Sequence, residues 1–482
     1  PPTGDTLLFH SHPLTSSILT APLGLALGAV AGTNLMIVLM VLFGAWAFYL
    51  YVRAAFDIGF LPAFVAGAAF GFSPYFMMRA HWHVNMLGAC FWAPALGVLI
   101  WSYVKGRFDL RYGIVYALFF WATFWNSFVE VFMLALVSGI AVALLELQRL
   151  VECRDAPHWL AAYRKRLTYF LPTIAGSVSL LVFAGGPRFE TIYMPLWDCN
   201  GFKDLFLFPR LSIFSGLVMP ERFANWGICV PYSLWFCAAA GVLYVLRARL
   251  RHFWPMLVAM VVVVIISCDP GHLASGLVRK LPLGEGFRVF TRFHPFFLFF
   301  LVTFGALGMA RIGRAPALPE GGYVSFPTVR HVAIFGLIIA GLVEFYPAGM
   351  NLRPIKQLPI TPELHETLSN GQFCLVVPEK YFVQLHNTYQ VALDMPCVQM
   401  TFWDKMNQES RAFRTHRFPC VYPKTRDYPG KPLIEDPRIR QELRDLNVGF
   451  VLFENKYDAQ RAAFRGTPLL ETDRELLIQV NE

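Results

Sequence analysis

Charge is what this chain of 482 residues has least of. Asp, Glu, Lys and Arg together make up 15% of it, against roughly 25% in a soluble domain. That shortage, with 56% hydrophobic residues and a mean hydropathy of +0.48, argues against a water-soluble globule and for a polytopic membrane protein. Other absences narrow the field further. There is no GxGxxG and no P-loop, so the common nucleotide-binding signatures are missing. There is no internal repeat of the kind many transporters carry. The nine cysteines form no CxxC pair. No RNA- or DNA-binding motif accompanies the net charge of +9, so nucleic acid is not an expected partner. The chain opens on "PPTGDTLLFHSHPL" with no Met, no signal peptide and no membrane span, and an N-terminal piece is expected ahead of it.

What is abundant is long apolar segments. About ten candidate transmembrane helices lie near 33–54, 60–78, 86–104, 112–126, 128–147, 167–185, 227–246, 253–268, 290–310 and 330–347, judged against the roughly 20 apolar residues a span needs. Leu14 to Gly32 is apolar but interrupted by Pro22 and glycines, and reads as an interfacial or re-entrant helix. The 45 phenylalanines suit lipid-facing and helix-packing positions. Cys90, Cys237 and Cys268 fall in apolar spans and read as packing residues.

The loops between these segments alternate in character. One set is short and basic. It holds Arg53, then Lys105, Arg107 and Arg111, then Arg149, Arg154 and Arg164 to Arg166, then Arg247, Arg249 and Arg251, and finally Arg311, Arg314 and Arg330. By the positive-inside rule this set is cytoplasmic. The other loops then face outward, as does the polar region that follows the last span. The chain is thus expected to have a transmembrane domain over 1–350 and an extracytoplasmic α/β domain over 351–482, in a bacterial inner membrane. Within the second region "FCLVVPE" (373–379), "VGFVLFEN" (448–455) and "LLIQV" (476–480) have strand composition. Asp436-Pro437 opens a helix through Leu446, with Asp at the N-cap and Pro at the first helical position. Cys374, Cys397 and Cys420 share this region, and their pairing cannot be read from spacing.

Polar residues concentrate on the outward side. "RAHWHVN" places Arg79, His81, His83 and Asn85 between two apolar runs. The HxH spacing puts both histidines on one side only if the backbone is extended. His10 and His12 repeat that spacing, so a divalent metal is one reading. A phosphate held by Arg79 with His81 or His83 is another, because a guanidinium forks onto phosphate and a nearby imidazole moves a proton. A polar turn at the headgroups is the third. "GEGFRVFTRFHPF" supplies Arg288 and Arg292, four apart and therefore on one helical face. They suit a lipid phosphate or, more blandly, snorkelling to ordinary headgroups. Glu130, one turn inside a span, is an intramembrane acid. It is a functional candidate by default and otherwise a structural tie to an arginine or hydroxyl of a neighbouring helix.

Taken together, "PPTGDTLLFHSHPLTSSILTAPL", Asn34, "AGAAFGFSPYFMMRAHWHVNML" and "LPLGEGFRVFTRF" resemble the YfhO-like and related bacterial members of the GT-C glycosyltransferase superfamily. The likeness covers most of the chain through short, degenerate motifs. It implies a polyprenyl-phosphate-linked sugar as donor and a glycan, lipid or protein acceptor outside. An acid would take the acceptor proton and basic residues would stabilise the departing phosphate. In the family pattern that acid sits in the first outer loop, here expected upstream of Pro1. Asp5 and Glu130 are the acids on hand as catalytic residues. Arg79, His81, His83, Asn85, Arg288 and Arg292 are the substrate-binding set, and no metal ligand is assigned. The alternative is a non-catalytic accessory subunit of a larger membrane complex on the same fold, contacting lipids and protein partners.

Overall fold

The structure is a computed structural model. It describes residues 14–77, 87–153, 156–183, 230–248, 250, 253–268, 273–278, 280, 290–312, 336, 361–368, 373–377, 397–399, 448–453, 467–472 and 476–479. The chain divides into two compact units, one running from Phe9 to Asn351 and the other comprising the region from Leu352 to Glu482.

The first unit is helical. In chain order it contains α1 (Leu14–Leu27), α2 (Ala29–Phe56), α3 (Phe60–Gly71), α4 (Ala89–Lys105), α5 (Leu110–Asn126), α6 (Phe128–Cys153), α7 (Ala156–Leu167), α8 (Leu171–Phe183), α9 (Tyr232–Arg247), α10 (Trp254–Cys268), α11 (Leu273–Val278) and α12 (His294–Ile312). Four of the described helical stretches are long and apolar enough to cross a membrane: Ala31–Phe56, Phe60–Met77, Val129–Cys153 and His294–Ile312. Four further apolar helices are shorter: Thr15–Leu27, Ala89–Lys105, Tyr232–Arg247 and Trp254–Cys268. Helices thus stand at nine of the ten expected segments, while the tenth, 330–347, lies outside the described residues apart from Gly336.

Helix α2 shows why these segments suit a bilayer. Its inward face carries Met40, Val41, Phe48, Val52 and Ala55, all buried. Its other face carries Leu35, Val38, Leu42, Phe43, Trp46 and Leu50, all exposed. A helix apolar all round is stable only where both its surroundings are apolar. Helix α12 is the centre of the unit, buried continuously from His294 to Met309. Its phenylalanines build an aromatic core with α2 and α4, among others. Phe299 meets Phe48 at 5.1 Å and Tyr51 at 4.8 Å, and Phe296 stacks on Trp92 at 4.2 Å. The abundance of Phe is therefore partly a packing device at these positions.

Helices α9 and α12 approach closely at Gly241 and Gly308, where a Cβ would collide with the Phe304 and Cys237 carbonyl oxygens respectively. Small residues let apolar helices pack backbone to backbone where no hydrophobic force between them exists in lipid.

The second unit contains α13 (Pro362–Leu368) and a five-stranded sheet of β1 (Phe373–Val377), β2 (Cys397–Gln399), β3 (Val448–Phe453), β4 (Thr467–Glu471) and β5 (Leu476–Gln479). The strand order is β2-β1-β3-β5-β4. β1 pairs in parallel with β2 and β3, while β5 runs antiparallel to β3 and β4. Three strands stand where composition puts them; β2 and β4 are additional. The expected helix from Asp436 lies outside the described residues. The N-cap and Pro pattern recurs instead at α13, where the Leu364 N–H donates to Thr361 Oγ1 at 3.2 Å and Pro362 opens the helix.

Candidate functional site

The site is best built from a four-residue sequence, Ser127-Phe128-Val129-Glu130. Ser127 ends α5 by donating its N–H to the Thr123 carbonyl at 2.8 Å, and it also caps α6. Its Oγ accepts the Glu130 N–H at 3.4 Å. Ser-x-x-Glu is the capping-box pattern, in which the glutamate ordinarily reaches back to the N–H of the capping serine. That N–H is already used by Thr123. The Glu130 side chain turns instead to α4, where Oε1 accepts the Gly88 N–H at 3.2 Å. Its other oxygen accepts Asn126 Nδ2 at 3.4 Å.

Glu130 is only 2% exposed. A buried carboxylate is costly unless it is hydrogen-bonded, and here it sits at the N-terminal ends of α4 and α6 together. Both helix dipoles place partial positive charge there. Gly88 has φ −66°, a backbone any residue adopts. Its glycine is required by space instead, since a Cβ would run into the Glu130 carboxylate.

The network continues from Asn126, which is fully buried. Asn126 Oδ1 accepts a very short hydrogen bond from Ser16 Oγ on α1. Next to it, Thr15 Oγ1 donates to the Ala122 carbonyl at 3.0 Å. One polar cluster thus joins α1, α4, α5 and α6.

The "FSPY" stretch lies at the same end. Helix α3 stops at Gly71, and helical geometry resumes over 74–77, with the Met77 N–H donating to the Ser73 carbonyl at 3.1 Å. Ser73-Pro74 therefore breaks the helix and starts a new turn, with Pro at a first helical position. That turn carries Tyr75 and Phe76 into the core. Tyr75 stands 5.9 Å, ring to ring, from His294 at the start of α12. His294 is fully buried and also meets the Phe297 ring at 5.6 Å. Arg292 is half-buried in the 3-10 turn Phe290–Phe293 that leads into α12.

Of the sequence-predicted site residues, Glu130 and Arg292 are described, while Asp5, Arg79, His81, His83, Asn85 and Arg288 lie outside the described residues, as do His10 and His12. The structure brings together the segments that flank them. The 74–77 turn leads toward Arg79, Gly88 follows Asn85, and Arg292 follows Arg288. Tyr75 and His294 meet, and Gly88 meets Glu130. Sequence reasoning passed over His294, Tyr75 and Ser16. His294-Pro295 opening a helix and the Ser-x-x-Glu box were the available signals. Among the described residues no group of three or more His, Cys, Asp or Glu side chains is arranged to hold a metal.

A cavity of about 360 Å³ lies at the other, basic end, lined among others by Asp57, Lys105, Tyr244 and Arg311. The C-terminal ends of α2, α4, α9 and α12 converge there. The partial negative charge of these helix ends favours Lys105 and Arg311 and offsets their charge, so this cavity is a poor anion site.

The chain shares its fold with solved structures of ArnT and of the arabinofuranosyltransferase AftD. ArnT from Cupriavidus metallidurans in the apo state has a similar structure, with a TM-score of 0.51, 13% identity, and coverage of 97% of this chain and 87% of that one. ArnT from the same organism bound to undecaprenyl phosphate gives a TM-score of 0.52, 12% identity, and coverage of 97% and 88%. The arabinofuranosyltransferase AftD from Mycobacteria gives a TM-score of 0.51 and 15% identity over 96% of this chain and 35% of that one. No family model and no curated protein matches the sequence.

Proposed function

We propose that the protein is a membrane glycosyltransferase that takes a sugar from a polyprenyl-phosphate donor and transfers it to an extracytoplasmic acceptor. The observation that carries this reading is the meeting of Tyr75 and His294. It draws the segment before Arg79 and the segment after Arg288 to one place in a GT-C fold. The undecaprenyl phosphate bound to the ArnT neighbour supports a lipid phosphate as the ligand class. In this reading the chain makes ten spans, and its C-terminal sheet unit lies on the outward side.

The chemistry follows from the residue types. An acceptor hydroxyl attacks the anomeric carbon, the bond to the lipid phosphate oxygen breaks, and the hydroxyl proton passes to a base. Arg79, Arg288 and Arg292 stabilise the negative charge gathering on the departing phosphate, with His81, His83 and Asn85 as further hydrogen-bonding groups. Of the two acids on hand, Glu130 is engaged with Gly88 and Asn126, so Asp5 is the one to test as base.

The test uses purified full chain in lipid nanodiscs with a polyprenyl-phosphate sugar. Turnover is expected in the unaltered protein, and Arg288→Ala is expected to lose at least about a hundredfold, the scale of removing one charge-stabilising donor. Undiminished turnover in Arg288→Ala removes that residue's phosphate role. A protein that neither binds nor turns over any such donor, yet purifies with stoichiometric partners, is the accessory subunit instead.

A further inference from the structure

We propose that Glu130 is a positioning residue: its buried carboxylate clamps the start of α4 and so fixes the C-terminal anchor of the 78–86 segment that carries Arg79, His81, His83 and Asn85. Three features point there. The carboxylate accepts a backbone N–H, that of Gly88, which is the residue that turns the chain from this segment into α4. Gly88 is sterically fitted to the carboxylate, because any Cβ would displace it. The remaining oxygen is held by Asn126, and Asn126 is held in turn by Ser16. The clamp therefore also ties the start of α4 to α1, the helix that follows His10 and His12 in the chain.

A capping-box glutamate normally serves its own helix. This one serves two, because Ser127 has spent its N–H on α5. The arrangement ties the start of α4 to buried side chains of α1, α5 and α6. Rigid support is what a phosphate-binding group needs, since a displacement of about 1 Å in such a site is costly. What the clamp does for ligand binding rests on the function proposed above, whereas the clamp itself does not.

The two are separated by measuring amide hydrogen exchange over 87–92 and undecaprenyl phosphate binding on the same full-length protein in nanodiscs. Exchange in α12 serves as the control for general unfolding. Glu130→Ala is expected to speed exchange at the start of α4 by about ten- to a hundredfold, the loss of one hydrogen bond to a charged group. α12 should stay unchanged, and affinity for the lipid phosphate should fall. Glu130→Gln keeps an acceptor oxygen and is expected to restore most of both. Gly88→Ala is expected to copy Glu130→Ala by displacing the carboxylate, and it provides the test if Glu130→Ala does not fold.

Unchanged exchange over 87–92 in both Glu130→Ala and Gly88→Ala overturns the clamp. A Glu130→Gln protein with normal exchange whose turnover is as low as that of Glu130→Ala overturns the positioning role, because the acid itself would then be doing the chemistry. If the unaltered protein binds no lipid phosphate, the proposed function fails, and the exchange measurement still decides the clamp.

Discussion

Helix α6 carries a buried acid near each end, and the two are held in different ways. Glu130 and Glu146 are sixteen residues apart, or about 24 Å at the helical rise. Glu130 is 2% exposed and Glu146 6%. Glu146 is gripped by an arginine in a fork, with Arg166 Nε at 2.7 Å and Nη2 at 2.5 Å, and it accepts the Tyr103 hydroxyl at 2.8 Å. Glu130 is held by dipoles: a backbone N–H, an amide and two helix N-termini. An ion pair gives an electrically neutral knot, suited to fastening α7 to the bundle. The Glu130 carboxylate is directed by backbone geometry, through the Gly88 N–H. The helix thus has an ion-paired fastening at the basic end and, at the other end, one that takes up a backbone N–H and an amide.

The sharpest way to break the comparison is to remove one partner at the basic end. Arg166→Ala leaves the Glu146 carboxylate buried and uncompensated. It is expected to destabilise the protein by about 3–5 kcal/mol, whereas replacing both residues with Met is expected to be nearly neutral. Thermal unfolding in detergent or nanodiscs reads both. If the double replacement costs as much as the single one, the pair is valued for something other than charge cancellation.

Asn126→Ala attacks the other end. It takes a donor from Glu130 and an acceptor from Ser16, and is expected to cost about 1–3 kcal/mol, the cost of leaving buried polar groups unsatisfied. The same measurement checks it. Because no ion pair is broken, the loss should fall below that of Arg166→Ala, and the reverse order would undo the distinction between the two ends. Tyr103→Phe is milder. It removes one of the hydrogen bonds to Glu146 and leaves the ring under Arg149, whose guanidinium lies 5.0 Å from it. A loss of about 1 kcal/mol is expected.

The two ends also differ in how well the sequence discloses them. Hydropathy reveals most of the helices, because a segment apolar on every face, such as α2, has few alternatives to a membrane span. Glu130 is conspicuous for the same reason, an acid in an apolar run. Its partner is not, because nothing local connects it to Gly88, 42 residues away. The Ser127 box points to the helix start, but the diversion of its glutamate depends on how α5 meets α6. Glu146 and Arg166 hide better still. Both stand beside residues that read as an ordinary basic loop, and only the folding of α7 back on α6 pairs them. Strands β2 and β4 escape notice for different reasons: Cys397–Gln399 has only three residues, and β4 contains Pro468, which argues against a strand except at an edge. β4 is indeed an edge strand, as is β2.

A third acidic contact bounds the comparison from below. Asp57 caps α2 with φ 53° and accepts Lys105 Nζ at 2.8 Å, an ion pair only slightly longer than that between Arg166 and Glu146. Its exposure is different, with the aspartate side chain 82% and the lysine 31% accessible. Water screens both charges, and ordering two flexible side chains offsets much of the attraction. Lys105→Ala is therefore expected to cost about 0–1 kcal/mol, shrinking further as salt is raised. The Arg166→Ala penalty, set by a buried charge, should be nearly indifferent to salt. Unfolding temperatures of both variants at low and high ionic strength test this directly. A Lys105→Ala loss as large as that of Arg166→Ala and equally indifferent to salt would mean that distance, and not burial, sets the worth of these contacts, and the contrast along α6 would lose its physical basis.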